Sequence, residues 1–140
     1  MSERGVTSIL IVEDDPVDVK AFSRAAKKAD LTLPIEVAPT GDDALQQLQK
    51  HRGATVPPVV VITDINMPGL NGHELMEDVR KDGALHKTLF FVLSSSDQTK
   101  DIERAYRNGA LGYIVKGPSS AAIGSCAHLV KAYCASVSLP

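Results

Sequence analysis

The sequence predicts an α/β fold in which five parallel strands form a doubly wound sheet with helices on both faces. Short runs of branched apolar residues occur five times, and each is followed by a segment with apolar residues at helical spacing. The clearest run is unbroken, as in a strand that is buried on both faces of a sheet. Strict alternation of strands and helices favours parallel pairing with right-handed crossovers, so all five strands are expected in one sheet.

The chain has 140 residues, of which 44% are hydrophobic, and this predicts a single domain over residues 1–140 with no effector domain. The net charge of −2 gives no general attraction to nucleic acid or anionic membranes. No apolar stretch approaches the roughly 20 residues needed to span a bilayer. Cys126 and Cys134 are expected to be reduced thiols. We therefore expect a cytoplasmic protein that binds neither nucleic acid nor membrane.

The first predicted strand is Ser8–Val12, and three acidic residues follow it directly. Asp15 suits the N-cap of the first helix, and Asp18 belongs to the first turn of that helix. Glu13 and Asp14 have no such structural role. Like charges this close destabilise each other unless a cation screens them, so the pair is a candidate cation site.

The second strand is predicted at residues 34–38, and Thr40 caps the helix that follows. Ala44 and Leu48 belong to the apolar stripe of that helix. We expect the helix to end at Gly53, because glycine is the usual residue at a helix C-terminus.

The third strand begins at Val59, and Asp64 follows the apolar run at the point where the strand is expected to end. Asn71 is the predicted N-cap of the third helix, with Glu74 as its N3 partner and an end near Gly83. One carboxylate is therefore held at the carboxyl end of a central strand. Open α/β sheets bind their ligands at that edge.

The fourth strand is predicted at residues 89–93, and Ser94 follows it in the position that Asp64 has on the third strand. The fifth strand is predicted at residues 111–115 and is followed by Lys116. The last helix is predicted at residues 119–136. These two strands add a hydroxyl and an ammonium to the same edge of the sheet.

The polar groups at the strand ends are expected to meet at one rim of the sheet: Glu13, Asp14, Asp64, Ser94 and Lys116. Converging carboxylates favour Mg²⁺, which prefers oxygen ligands and keeps positions open for phosphoryl oxygens. A metal and a lysine can neutralise phosphoryl oxygens while the hydroxyl donates a hydrogen bond and Asp64 attacks in line. This combination of groups predicts phosphoryl transfer to a carboxylate.

Four motifs in this order and spacing resemble the response-regulator receiver domain of two-component signalling. They are VEDD after the first strand, TDINMPGLNG at the end of the third, LSS after the fourth and GYIVK in the fifth. The resemblance covers nearly the whole chain. It implies a flavodoxin-like (βα)₅ sheet with strand order 2-1-3-4-5 and a signalling protein rather than a conventional enzyme.

The resemblance also implies a role for each matching residue. Asp64 is the implied phosphoacceptor, Lys116 the phosphate-contacting lysine, Ser94 the switch hydroxyl that also contacts phosphate, and Tyr113 the aromatic residue that moves with it. The implied Mg²⁺ ligands all supply oxygen: Glu13, Asp14, Asp64 and the backbone carbonyl of Asn66.

The implied partner is a sensor histidine kinase, whose phosphohistidine donates to the receiver. The DPVDV segment is similar to stand-alone receivers that serve phytochrome-type kinases. The implied output surface is formed by the fourth helix, the fifth strand and the fifth helix, and it is a candidate homodimer interface.

Two other functions remain open at the level of sequence. An aspartyl-phosphate phosphatase of the haloacid dehalogenase type requires a second aspartate two residues after the nucleophile, where this chain has Asn66. A receiver-like binding module that takes no phosphate usually lacks one of the site residues, and all are present. One departure from the receiver pattern is Gly117, which separates Lys116 from Pro118.

Overall fold

The structure is a computed structural model that describes residues 5–50, 58–85 and 87–139. Within these ranges the five strands are β1 (Ser8–Val12), β2 (Ile35–Ala38), β3 (Val59–Thr63), β4 (Leu89–Ser94) and β5 (Gly112–Val115). The five helices are α1 (Pro16–Lys28), α2 (Gly41–Gln49), α3 (Gly72–Lys81), α4 (Thr99–Arg107) and α5 (Ala121–Ser136).

All five strands pair in parallel, and their order across the sheet is β2-β1-β3-β4-β5. This confirms the predicted doubly wound sheet and its strand order. Parallel strands run in one direction, so their carboxyl ends share one edge. The order also puts β3 at the centre of the sheet, with β1 and β4 as its neighbours.

Two hydrophobic layers cover the two faces of the sheet. Alternate residues of β1, β3 and β4 pack against α2, α3 and α4 on one face. The intervening residues of the same strands pack against α1 and α5 on the other face. This division explains the unbroken apolar runs, because every second side chain of a central strand contacts each helical layer.

The two edge strands are less buried than the apolar runs suggested. None of the four residues of β5 is fully buried, and Val115 at its end is exposed. Val37 in β2 is likewise exposed. An edge strand has a neighbour on one side only, and the helices cover it incompletely.

The predicted helix caps are confirmed. The Asp15 side chain accepts a hydrogen bond from the Val17 amide, and the Thr40 hydroxyl accepts one from the Asp43 amide. Asn71 and Glu74 form a reciprocal capping box at the start of α3. These caps satisfy amide groups that have no partner inside the helix.

Several element boundaries differ from the predictions by one or two residues. Strand β4 extends to Ser94, because the Lys116 amide donates to the Ser94 carbonyl at 2.8 Å and continues the ladder. Helix α5 begins at Ala121 rather than at residue 119. Helix α2 ends at Gln49, and the predicted stop at Gly53 lies outside the described residues.

Gly72 lets helix α3 begin directly against the end of β3. A Cβ atom at this position would lie 2.1 Å from the Asp64 carbonyl oxygen, and the Gly72 amide donates to the Ile65 carbonyl at 3.0 Å. Any side chain would therefore push the helix away from the backbone of Asp64.

None of the helices formed by the described residues is both long and apolar enough to cross a membrane.

Candidate functional site

Two neighbouring strands bring Glu13 and Asp64 to the carboxyl edge of the sheet. Val12 and Thr63 are register partners, and each is the last residue of its strand. The Asp64 amide donates to the Val12 carbonyl at 3.1 Å, so the pairing continues past the end of β3. The Glu13 amide donates to the Ala38 carbonyl at 3.0 Å in the same way. Sheet hydrogen bonds thus fix the backbone from which both carboxylates project.

The Asp64 carboxylate is nearly buried and has two distinct oxygen environments. Oδ1 accepts hydrogen bonds from the Ile65 amide at 2.6 Å and from the Asn66 amide at 3.4 Å. Oδ2 accepts from Lys116 Nζ at 3.3 Å. Backbone amides therefore hold the carboxylate in one orientation, with one oxygen directed at a cation.

The Lys116 ammonium lies among three carboxylates. Nζ is 2.9 Å from Glu13 Oε1, 2.9 Å from Asp18 Oδ2 and 3.3 Å from Asp64 Oδ2. An ammonium has three N–H donors, so each carboxylate can receive one of them. Burial by itself would lower the pKa of Lys116, but the hydrogen bonds to Glu13 and Asp18 and the charge of Asp64 raise it well above its ordinary value. Lys116 is therefore fully charged at neutral pH.

The two predicted acidic residues after β1 have different surroundings. Glu13 is buried, and its second oxygen accepts from the Asp15 amide at 3.1 Å. Burial raises the pKa of Glu13, and the negative charge of Asp64 also raises it. The hydrogen bonds from Lys116 and from the Asp15 amide act in the opposite direction and lower this pKa. Asp14 is exposed. Among the described residues, no three His, Cys, Asp or Glu side chains are already arranged to hold a metal ion.

A cleft of about 620 Å³ opens over these groups. Its polar lining includes the carboxylates of Glu13, Asp14, Asp18 and Asp64 together with Lys116. The remaining lining residues include Val17 and Ala21 of α1 and the segment from Gly117 to Ser120. The cleft thus joins the predicted carboxylates and lysine to an approach from solvent between α1 and the start of α5.

Ser94 and Tyr113 lie beside this cleft rather than in its lining. Thr63 is the register partner of Val92, so Ser94 lies one residue further along its strand than Asp64, and the predicted equivalence of the two positions is wrong by one residue. Ser94 is buried, and its Oγ accepts from the Ser96 amide at 3.2 Å. The Tyr113 ring is half-buried, and its hydroxyl donates to the Ser96 carbonyl at 2.8 Å.

Asn66 projects from the loop after β3. Its side chain is exposed, and its amide contacts Asp64 Oδ1 as described above. The backbone of Asn66 therefore lies next to the Asp64 carboxylate.

The sequence-based predictions missed two acidic residues near the site. The sequence predicts only that Asp18 belongs to the first turn of α1, whereas the structure shows that its side chain contacts Lys116. Asp101 in α4 accepts a 2.5 Å hydrogen bond from the Ser96 hydroxyl and lies 3.1 Å from His73 Nε2. Asp18 lies three residues after the predicted N-cap Asp15, which places it in the first turn of α1, but no local pattern indicates a contact with Lys116, 98 residues away. No local pattern indicated the contact between Asp101 and His73, which are 28 residues apart.

Comparison with known proteins agrees with this fold. The family model of the response regulator receiver domain matches residues 9–125. The "Probable methanogenesis regulatory protein FilR2" of Methanothrix harundinacea is 31% identical over 109 residues, which cover 77% of this chain and 70% of that protein. The chain spans between 46% and 70% of the length of the curated relatives that it matches.

Two solved structures illustrate the similarity in three dimensions. The phosphorylated cyanobacterial phytochrome response regulator RcpA is 21% identical, with a TM-score of 0.81 over 96% of this chain and 99% of that one. The bacteriophytochrome response regulator AtBRR is 28% identical, with a TM-score of 0.71 over 92% of this chain and 94% of that one. The first similarity concerns the fold alone, and the second extends to sequence.

Proposed function

This chain belongs to the response regulator receiver domain family of two-component signalling, and on that premise we propose that Asp64 accepts a phosphoryl group from a sensor histidine kinase. The observation that carries the proposal is the position of the Asp64 carboxylate. It lies at the carboxyl edge of β3, held by backbone amides, with Lys116 at 3.3 Å and a cleft leading to solvent.

The proposed transfer requires one bond to form and one to break. An oxygen of the ionised Asp64 attacks phosphorus while the P–N bond of the kinase phosphohistidine breaks, and the histidine nitrogen keeps the bonding electron pair and later takes a proton from solvent. Lys116 lies next to Asp64 Oδ2 and can neutralise charge on the transferring group. The Ile65 amide holds Oδ1 and limits rotation of the carboxylate.

The donor chemistry of the cleft fits Mg²⁺. Glu13, Asp14 and Asp64 line one cleft with carboxylate oxygens, the ligands that Mg²⁺ prefers, and the Asn66 carbonyl is the fourth proposed ligand. When bound, the ion would supply positive charge to phosphoryl oxygens. Glu13 and Asp64 both contact Lys116 in the present structure, so binding would require these side chains to shift. The negative charge of Asp64 raises the pKa of Glu13. A bound cation would reduce this repulsion between the two carboxylates.

The proposed switch consists of Ser94 and Tyr113. Ser94 Oγ accepts from the Ser96 amide and retains its own hydrogen as a donor. We propose that this hydroxyl turns to a phosphoryl oxygen and that the β4–α4 loop follows. Tyr113 would respond because its hydroxyl is bonded to the Ser96 carbonyl in that loop.

The proposed partner is a histidine kinase of the bacteriophytochrome type, acting in the cytoplasm. AtBRR, which is described as a bacteriophytochrome response regulator, supports this class of partner. The exposed side chain of Val17 stands at the rim of the cleft and gives a kinase helix an apolar contact beside the reacting carboxylate.

The proposed output surface is formed by α4, β5 and α5, and we propose that it mediates self-association. Four of the six exposed large hydrophobic residues that the structure describes lie on or next to these elements: Tyr106, Leu111, Val115 and Leu129. Exposed apolar residues that cluster on neighbouring elements are typical of interaction surfaces.

The test is intact-mass measurement after incubation with acetyl phosphate and Mg²⁺. Wild type is expected to gain one phosphoryl group and to lose it again by hydrolysis without a phosphatase. Asp64→Asn should gain none, Asp14→Ala should require much more Mg²⁺, and the exposed α4 variant Glu103→Gln should behave as wild type. A phosphoryl group on Asp64→Asn would overturn the proposed site, and an unmodified wild type would favour a binding module that takes no phosphate.

A further inference from the structure

Lys116 has a third carboxylate partner that comes from outside the strand ends. Asp18 is in the first turn of α1, and its Oδ2 lies 2.9 Å from Lys116 Nζ, as close as Glu13 and closer than Asp64. The two residues are 98 positions apart in sequence. The contact therefore depends on how α1 packs beside the end of β5.

The backbone that carries Lys116 offers limited restraint on the side chain. Its amide is fixed by the Ser94 carbonyl, but Gly117 follows immediately, and a Cβ at Gly117 would have no atom within 4 Å. A lysine side chain loses rotamer entropy when it is held in one conformation. Holding Nζ over Asp64 therefore requires partners at the end of the side chain.

Asp18 is well placed to act as such a partner. Helix α1 is fixed by the Asp15 cap and by Phe22 and Ala26, which are buried against the sheet. The Asp18 side chain is 26% exposed, against 8% for Glu13 and 10% for Asp64, so packing alone does not require a carboxylate at this position. Its position in the first turn gives it a favourable interaction with the helix dipole, which is the alternative reason for its presence.

We propose that Asp18 is a positioning residue that holds the Lys116 ammonium in reach of Asp64 and its phosphoryl group. This inference rests on the proposed function, because it assigns Asp18 a role in the phosphorylation of Asp64. Asp18 touches neither Asp64 nor the transferring group and acts through Lys116. It leaves Lys116 two donors, one for Glu13 and one for the phosphoacceptor.

The first test is a double-mutant cycle on the rate of phosphorylation by acetyl phosphate at saturating Mg²⁺. Asp18→Asn keeps the shape of the side chain and removes its charge, and we expect the rate to fall about three- to tenfold. In a Lys116→Ala background the same substitution should change the rate by less than about 1.5-fold. Asp18→Glu, which keeps the charge, should recover part of the rate, and Glu103→Gln serves as a control for loss of one exposed charge.

An equal effect of Asp18→Asn with and without Lys116 would overturn the inference and favour the helix dipole or general electrostatics. An unchanged rate in Asp18→Asn would overturn it as well. Thermal unfolding of each variant, measured in parallel, separates loss of the fold from loss of positioning.

The second test does not depend on phosphorylation and therefore separates failure of this inference from failure of the proposed function. In ¹⁵N-labelled protein, the Lys116 ammonium should give an observable NMR signal, because its hydrogens are held in three hydrogen bonds and exchange slowly. The signal should broaden or vanish in Asp18→Asn and persist in Glu103→Gln. A signal that is unchanged in Asp18→Asn would contradict the positioning role even if Asp64 proves to be the phosphoacceptor.

Discussion

The imidazole Nε2 of His73 in α3 lies 3.1 Å from Oδ1 of Asp101 in α4. The other carboxylate oxygen of Asp101 accepts the Ser96 hydroxyl at 2.5 Å, so one side chain joins both helices to the β4–α4 loop. The N-cap residue of α4, Gln98, makes no side-chain capping hydrogen bond. Asp101 therefore links the first turn of α4 to α3 and to the loop that carries the proposed switch.

Removal of this contact should destabilise the protein. Asp101→Ala leaves the Ser96 hydroxyl and buried His73 without their shared partner, and His73 Nδ1 already has none among the described residues. We expect a loss of about 1–3 kcal/mol in the free energy of unfolding, measured by urea denaturation. Glu103→Ala, at an exposed position of the same helix, controls for helix propensity and should change stability by less than about 0.5 kcal/mol.

The same carboxylate should contribute to the pH dependence of stability. The Ser96 hydroxyl lowers the pKa of Asp101, burial opposes this, and His73 lowers it further, so the folded-state pKa lies below the ordinary value of 3.8. A depressed carboxyl pKa means that the unfolded chain binds the proton first as the pH falls. The stabilisation is therefore present above about pH 3.8 and is lost as the pH falls through the folded-state pKa.

Urea denaturation of wild type and Asp101→Asn over a series of acidic pH values measures this contribution. The difference in unfolding free energy between the two proteins should be constant near neutral pH and should shrink below about pH 3.8. A difference that grows on acidification would have the wrong sign for a carboxylate with a lowered pKa.

Arg80 should also stabilise the fold, because it joins α3 to the segments that precede β4 and β5. Its guanidinium donates to the Thr88 carbonyl at 2.7 Å and the Asn108 carbonyl at 2.9 Å, and it lies 5.3 Å from the centre of the Phe90 ring. Arg80→Met keeps most of the apolar stem and removes the donors, and we expect a loss of about 2 kcal/mol by chemical denaturation. Arg107→Met, at an exposed position in α4, is the matched control. Equal stability of the two variants would mean that these carbonyls are satisfied without Arg80.

The fold and the strand-end residues could be predicted because both depend on local sequence. An apolar run followed by an acidic residue places Asp64 at the edge of the sheet, whatever the packing of the helices. Asp18 and Asp101 could not be assigned in this way. Each is an acidic residue in the first turn of a helix, which is a common position for such residues. The partner of each is set by the tertiary packing of elements that are distant in sequence.

Tyr113 should transmit the effect of phosphorylation from Asp64 to the proposed output surface. The Tyr113 ring packs against the core, and its hydroxyl is bonded to the Ser96 carbonyl, so any movement of the β4–α4 loop must move the ring or break that bond. Strand β5 also carries exposed Val115 in the proposed output surface. Beryllofluoride added with Mg²⁺ should therefore shift wild type toward dimers in analytical ultracentrifugation. It should also change amide exchange in α4 and β5.

Two variants of Tyr113 separate the hydroxyl from the ring. Tyr113→Phe loses one hydrogen bond, about 0.5–1.5 kcal/mol, and should change the beryllofluoride-dependent shift in the dimer constant about two- to tenfold. Tyr113→Ala removes the ring as well and should abolish the shift, while Asp64→Asn should show none because it has no carboxylate to modify. A Tyr113→Ala protein that dimerises and exchanges like wild type would mean that the signal leaves Asp64 by another route, and the Asp101–His73 contact between α3 and α4 is then the next connection to test.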